Sequence, residues 1–255
     1  MPVPFKKDFN ITPSPSDMKE RDEILQNSYN NLIYFGRAFL PNDFLKKSES
    51  APFHYHIAKE LITTKPGARI CNIIPRGHGK SVMAKAAIMH KLCFSKTDEQ
   101  HFIAWVSEEQ GQAIDHLKYL RSHFENNKMI KYYFGTMDGG SVGKRWTEKD
   151  IVTAKGDRMI AKGTSQRLRG RAEVDVRYTG IVLDDFESEL NTKTPERRAE
   201  IKKWIVSTVY PALEETPGNE GWIWLCGTIV HYDSYLQMTY DGWKKAKEDG
   251  REYPW

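Results

Sequence analysis

Apolar and polar positions fall into blocks along this chain, and the period changes from block to block. Over 22–40, Ile24, Leu25, Leu32, Ile33, Phe35, Phe39 and Leu40 favour one helix, which Pro41 stops. The short apolar run "ARICNII" reads as a buried strand. An alanine-rich helix, "KSVMAKAAIMHKLCF", follows it, and "HFIAWV" reads as a second strand. Ser107 and Gln110 then have the spacing of a capping box, opening a helix with Ala113, Leu117, Leu120 and Phe124 on one face. "YTGIVLDD" is a third strand. Thr194 and Pro195 suit the N-cap and first position of a helix running to about residue 215, and "GWIWLCGT" is a fourth strand. Strand–helix alternation of this kind predicts an α/β fold, a mostly parallel sheet with helices on both faces and right-handed crossovers. Ahead of it, residues 1–21, with Pro2, Pro4, Pro13 and Pro15, read as an extended arm, which leaves 22–255 as one domain.

Composition narrows the function classes only a little. With 255 residues and 39% hydrophobic positions the chain can bury a sizeable core. The net charge of +4, from 38 basic and 34 acidic residues, is too even to argue for nucleic acid by itself. Cys71, Cys93 and Cys226 are scattered, as reduced cytosolic thiols are. No apolar run approaches the ~20 residues that span a bilayer. The opening "MPVPFKKDFNITPSPSD" has no apolar core of a signal peptide, so no membrane partner is expected.

Four stretches carry candidate chemistry. In "IIPRGHGKSV", Gly79, Lys80 and Ser81 fill the end of the phosphate-loop pattern G-x-x-x-x-G-K-[ST], but Ile74 stands where its first glycine belongs. The tripeptide alone decides nothing; its place between a strand and a helix is the context in which backbone N–H groups converge on phosphate. Gly77 and Gly79 supply unusual backbone angles, and Pro75 stiffens the turn. In "GIVLDDFESE" an apolar strand runs into Asp184 and Asp185, which reads either as an acidic turn or as the Mg²⁺-binding end of a Walker B strand; pairing with the upstream loop favours the second. The extra strand and helix between the two motifs suit the additional-strand (RecA-like) type of P-loop NTPase. Over 144–171, nine Lys or Arg stand against three acidic residues. Most of these read as a solvated face, but an arginine beside glycine in "RLRGR" has the setting of an arginine finger. "GTIVHYDS", a strand end followed by polar residues, resembles a nucleotide-sensing motif.

In order, "PFHYHIAKEL", "PRGHGKS", "WVSEEQGQA", "RLRGR", "GIVLDDFE" and "LCGTIVHYDS" together resemble the N-terminal ATPase domain of a tailed-bacteriophage large terminase, the DNA-packaging motor. The resemblance covers about 52–236. That family's phosphate loop is deviant, with an arginine ahead of G-K-[ST], the position of Arg76. The resemblance implies ATP and Mg²⁺ as cofactors, and ATP hydrolysis coupled to translocation of double-stranded viral DNA. It also implies a ring of subunits on the portal protein of a procapsid, a small terminase subunit as partner, and the host cytoplasm as location. Carried over, Pro75, Arg76, Gly77, His78, Gly79, Lys80, Ser81 and Val82 would cradle the nucleotide. Lys80 would hold the β- and γ-phosphates, with Ser81 and Asp184 at Mg²⁺. Arg76 would reach the γ-phosphate in cis and Arg169 in trans. Asp185, or else Glu187, would be the catalytic carboxylate, and Phe53 and His54 fall where an adenine-binding motif belongs. The family's C-terminal nuclease domain finds no counterpart before Trp255, so nuclease activity is not expected of this chain. Two other readings compete: a P-loop helicase or remodelling ATPase of another family, which should show further helicase motifs, and a non-catalytic nucleotide-gated module, which the retained Lys80, Ser81 and paired acids disfavour.

Overall fold

The computed structural model describes residues 18–44, 49–96, 99–168 and 177–255. Among them, six strands form one sheet: β1 (Arg69–Ile73), β2 (Phe102–Ser107), β3 (Asp150–Val152), β4 (Arg158–Gly163), β5 (Gly180–Asp184) and β6 (Trp222–Gly227). The order across the sheet is β1-β6-β5-β2-β4-β3, parallel throughout except for β3, which runs antiparallel on the β4 edge. Four helices precede the sheet, α1 (Met18–Asn30), α2 (Leu32–Phe39), α3 (Pro41–Phe44) and α4 (Pro52–Ile62); α5 (Lys80–Phe94), α6 (Gln110–Asn126), α7 (Lys128–Phe134) and α8 (Pro195–Trp204) lie between strands, and α9 (Tyr235–Glu248) follows β6.

The pleat sorts the strand side chains into two cores. On β2, Ile103 and Trp105 join a cluster with residues of α2, α4, α5 and α6. Phe102, Ala104 and Val106 point the other way, into a cluster with Ile201 and Trp204 of α8 and Tyr235 and Leu236 of α9. A sheet covered on both faces explains why β2, β5 and β6 are apolar nearly throughout rather than alternating. Gly180 starts β5 opposite Trp222, and a Cβ there would lie 2.1 Å from the indole ring, so this site requires glycine.

The four expected strands are β1, β2, β5 and β6, and the expected helix after "RICNII" is α5. Elsewhere the structure differs. The single helix over 22–40 is two, because Asn31 turns extended and its side chain accepts the Tyr34 N–H (3.1 Å), capping α2. α2 does stop ahead of Pro41, ending at Phe39 with Leu40 as its C-cap, and Pro41 then opens the short helix α3. Residues 18–21 of the expected arm are helical, and 1–17 lie outside the described residues. Ser107 ends β2 and caps nothing; Glu109 is the N-cap of α6, and the Gln110 amide instead donates to the Ala161 carbonyl (2.9 Å). Thr194 does cap α8, accepting from Arg197 N–H, but beyond Trp204 the helix widens into a π-helix (Ile205–Val209) and then tightens into a 3₁₀ turn (Tyr210–Ala212). Among the described residues no helix is long and apolar enough to cross a membrane.

Candidate active site

The loop between β1 and α5 is clamped at its root. Ile74 N–H donates to the Gly227 carbonyl (2.9 Å), and Thr228 Oγ1 donates back to the Ile74 carbonyl (2.7 Å). Gly77 and Gly79 then take left-handed backbone, at φ 79° and 78°. Gly79 is the N-cap of α5 and brings no side chain to cap it, so the first-turn N–H groups are left for a ligand. Those groups and the positive end of the helix dipole favour an anion.

Two carboxylates reach this helix end from β5. Ser81 Oγ donates to Asp184 Oδ1 (3.1 Å), and Lys80 Nζ lies 3.2 Å from Asp185 Oδ2. Asp184 is only 1% exposed, whereas Asp185 is 47% exposed and opens onto the cleft. Asp185 sits at φ 46°, an uncommon backbone for a residue other than glycine, and its N–H donates to the Cys226 carbonyl (2.9 Å). The end of β6 therefore holds both the loop root and Asp185. The other oxygen of Asp184, Oδ2, lies 3.3 Å from His116 Nε2 on α6. Burial pushes the Asp184 carboxyl up to about 7, against the Ser81 hydrogen bond, and the Asp185 charge adds to the rise. Burial, with the nearby Lys85 charge, pushes the His116 imidazole down to about 4, so it is neutral at pH 7.

A cleft of about 560 Å³ runs along the helix end, lined on the loop side by Arg76 through Met83 and Asp185, and opposite by Phe53 and His54 of α4. His54 joins the two walls. Its Nδ1 accepts the Ala51 N–H (3.0 Å), which leaves the ring proton on Nε2, and Nε2 donates to the His78 carbonyl (3.0 Å). Phe53 stacks against His54 with ring centroids 4.1 Å apart. Arg76 is exposed at the cleft, and Val82 lines it; Pro75 opens instead onto a neighbouring groove that shares Phe53 and His78.

Other expected residues lie elsewhere. Glu187 is buried, and its carboxylate accepts the Tyr235 and Leu236 N–H groups (2.6 and 3.0 Å) at the start of α9. Burial raises its carboxyl above the usual range despite those N–H groups. Both of its oxygens are thus engaged by a helix end, so of the two expected carboxylates Asp185 is the one on the cleft, whose lining also includes Asp43 and Glu49. Arg169 lies outside the described residues, as does Arg171; the segment leading to them is anchored by Tyr178 Oη, which donates to the Leu168 carbonyl (2.5 Å). The basic stretch is partly neutralised internally. Arg145 and Arg158 share Asp150 (2.6 and 2.8 Å), and Lys144 Nζ donates to the Ala154 carbonyl (2.7 Å).

His116 was not among the residues singled out from the sequence. The signal was there: it falls on the same helical stripe as Ala113, Leu117 and Leu120, where an ionisable side chain needs a reason. Compared with models of protein families the chain matches none, and it matches no curated protein.

Proposed function

We propose that this chain is a Mg²⁺-dependent P-loop ATPase of the additional-strand type, the motor part of a viral DNA-packaging machine. The observation that carries the reading is the pairing of Lys80 with Asp185 and of Ser81 with Asp184. It joins two motifs about a hundred residues apart at one uncapped helix N-terminus. The resemblance to large terminases supplies the link from ATPase to packaging motor.

The residues fit the cofactor. A hydroxyl and a carboxylate 3.1 Å apart are hard oxygen donors of the kind Mg²⁺ takes, with room left for water and phosphate oxygens. Mg²⁺ held by Ser81 and Asp184 would neutralise charge on the β- and γ-phosphates. The chain's own residues do the rest. The N–H groups of the Gly77–Val82 turn bind phosphate oxygens. Lys80, parked on Asp185 in this structure, turns to the phosphates and leaves Asp185 free. Asp185 then takes a proton from water as its oxygen bonds to the γ-phosphorus and the bond to the ADP oxygen breaks. Arg76, exposed at the cleft on the same loop, would reach the γ-phosphate, and Arg169 of a neighbouring subunit in a ring would complete the charge stabilisation. Phe53 offers an aromatic face for the base.

A motor that moves any sequence grips backbone phosphates rather than bases, so binding to double-stranded DNA should be weak, salt-dependent and indifferent to sequence. The test is ATP turnover with linear double-stranded DNA, with and without procapsids bearing portal protein. The reading expects turnover to rise when all are present, and to be recovered there when Lys80→Ala and Arg169→Ala subunits, each inactive alone, are mixed. Turnover indifferent to DNA and procapsids would refute the packaging role. A strong preference for one DNA sequence would point to a site-specific binder instead.

A further inference from the structure

We propose that His116 is a positioning residue for the Mg²⁺ site: its Nε2 stands 3.3 Å from Asp184 Oδ2, from where Nε2–H steadies the carboxylate when the site is loaded. This rests on the nucleotide-site reading given above and goes beyond it, because no part of the phosphate-loop pattern calls for a histidine on α6.

The argument begins with what a buried carboxylate needs. Asp184 is 1% exposed, so water cannot satisfy its oxygens, and an unpartnered carboxylate oxygen there is costly. Its two oxygens face side chains from different helices: Ser81 of α5 hydrogen-bonds Oδ1 (3.1 Å), and His116 Nε2 of α6 approaches Oδ2 to 3.3 Å. Together they set the rotation of the carboxylate about its Cβ–Cγ bond. A carboxylate bound to a cation is ionised and only accepts, so in the loaded site the ring nitrogen facing it carries the proton.

His116 is itself held. Its ring lies over the fully buried Trp105 indole, with centroids 4.8 Å apart and planes 31° from parallel. Trp105 is on β2, which is paired directly with β5, in register with Val182. The imidazole is therefore fixed to the same sheet that carries Asp184. The arrangement matters most when the cation arrives. Ser81 and Asp184 would then hold the cation, and His116 would remain beside the Asp184 oxygen it faces. Outer donors of this kind typically account for ~10- to 100-fold in metal affinity.

A residue that merely filled space beside Trp105 would leave a different record. His116→Phe keeps a ring on Trp105 and removes the donor; His116→Gln places an amide N–H near the position of Nε2. Three quantities are measured on each protein: thermal midpoint, affinity for a non-hydrolysable ATP analogue in EDTA, and affinity of the analogue-loaded protein for Mn²⁺ by electron paramagnetic resonance. The proposal expects His116→Phe to weaken Mn²⁺ at least ~10-fold with metal-free analogue affinity unchanged, and His116→Gln to recover most of the loss. Wild-type Mn²⁺ affinity in a folded His116→Phe overturns it. Equal losses in the Phe and Gln variants overturn it too, and mark His116 as packing. Should His116→Phe not fold, the wild-type ¹⁵N spectrum decides: Nε2 must be the protonated nitrogen before and after Mg²⁺ is added, and a bare Nε2 refutes the hydrogen bond. A wild-type protein that binds neither analogue nor Mn²⁺ would bring down the nucleotide-site reading itself, and this proposal with it; normal wild-type binding with an unaffected variant removes His116 alone.

Discussion

Gly79→Ala separates backbone strain from ligand binding, because the fold supplies its own control. Gly79 sits at φ 78°, ψ 10° and Gly143 at φ 74°, ψ 15°, nearly the same left-handed conformation. An added Cβ meets nothing closer than His54 Nε2 at 3.4 Å in the first case, and nothing within 4 Å in the second. Neither substitution therefore clashes, and both carry the same local cost of ~1–2 kcal/mol for a left-handed L-residue. Loss of unfolded-state freedom returns ~0.4–1 kcal/mol. The net is about 1 kcal/mol each, or a fall in Tm of roughly 2–4 °C for a chain of this size. Their effects on ATP should diverge. In Gly79→Ala the strain is relieved by turning the very N–H groups that face the cleft, and one lost hydrogen bond to a charged phosphate costs ~1.5–3 kcal/mol. That is roughly 10- to 150-fold in affinity. Scanning fluorimetry gives the two Tm values, and calorimetric titration with ATP and Mg²⁺ gives the two affinities. Unchanged ATP affinity in a folded Gly79→Ala would refute the role of the loop N–H groups. An equal loss in Gly143→Ala would show that the effect is global.

Asp185→Asn should slow single-turnover hydrolysis by at least ~100-fold while ATP still binds. Glu187→Gln should hydrolyse at near the wild-type rate but melt lower, having lost an acceptor for one of the Tyr235 and Leu236 N–H groups at a cost of ~1–3 kcal/mol; the reverse pattern would make Glu187 the base. His90 is buried and donates to the Ser28 and Tyr29 carbonyls, and burial lowers its imidazole from 6.5 to about 4. The unfolded chain takes up this proton first, so the contribution is complete above pH 6.5 and is lost as pH falls toward 4, on the order of 3 kcal/mol in all. Urea midpoints between pH 7 and 4 should show that decline, and His90→Gln, which keeps a donor, should flatten it; a variant with the wild-type pH slope would contradict the burial argument.

The parts legible in the sequence were those in which one period dominates. β1, β2, β5 and β6 are short apolar runs with no competing helical reading, and α5 is continuous from Lys80 because its alanines pack closely against the sheet. The β3–β4 hairpin was not, because its lysines and arginines gave it the look of a solvated loop. In the fold Arg158 lies over the Phe102 ring at 4.7 Å and pairs with Asp150, and Lys155 Nζ is drawn to the Cys93 carbonyl (2.6 Å). Charge that is neutralised by tertiary partners carries no local mark. The same holds for the site. Lys80, Ser81, Asp184 and Asp185 announce themselves by spacing, and the structure brings them together. Glu187 belonged to the same acidic run, yet its partners on α9 are nearly fifty residues away, and only the fold decides that it caps a helix. His116 had a place on an apolar stripe but no spacing that tied it to Asp184.

The most direct test of the account is phosphate release from ATP in the presence of Mg²⁺ by the wild-type chain and by Lys80→Ala, with circular dichroism confirming that both are folded. Lys80 meets Asp185 at 3.2 Å at the uncapped end of α5, and every step assigned to the cleft passes through that junction. The account predicts measurable Mg²⁺-dependent turnover by the wild type and none above background by Lys80→Ala. Equal turnover by the two folded proteins, or no nucleotide binding by the wild type at any concentration of Mg²⁺, would contradict it.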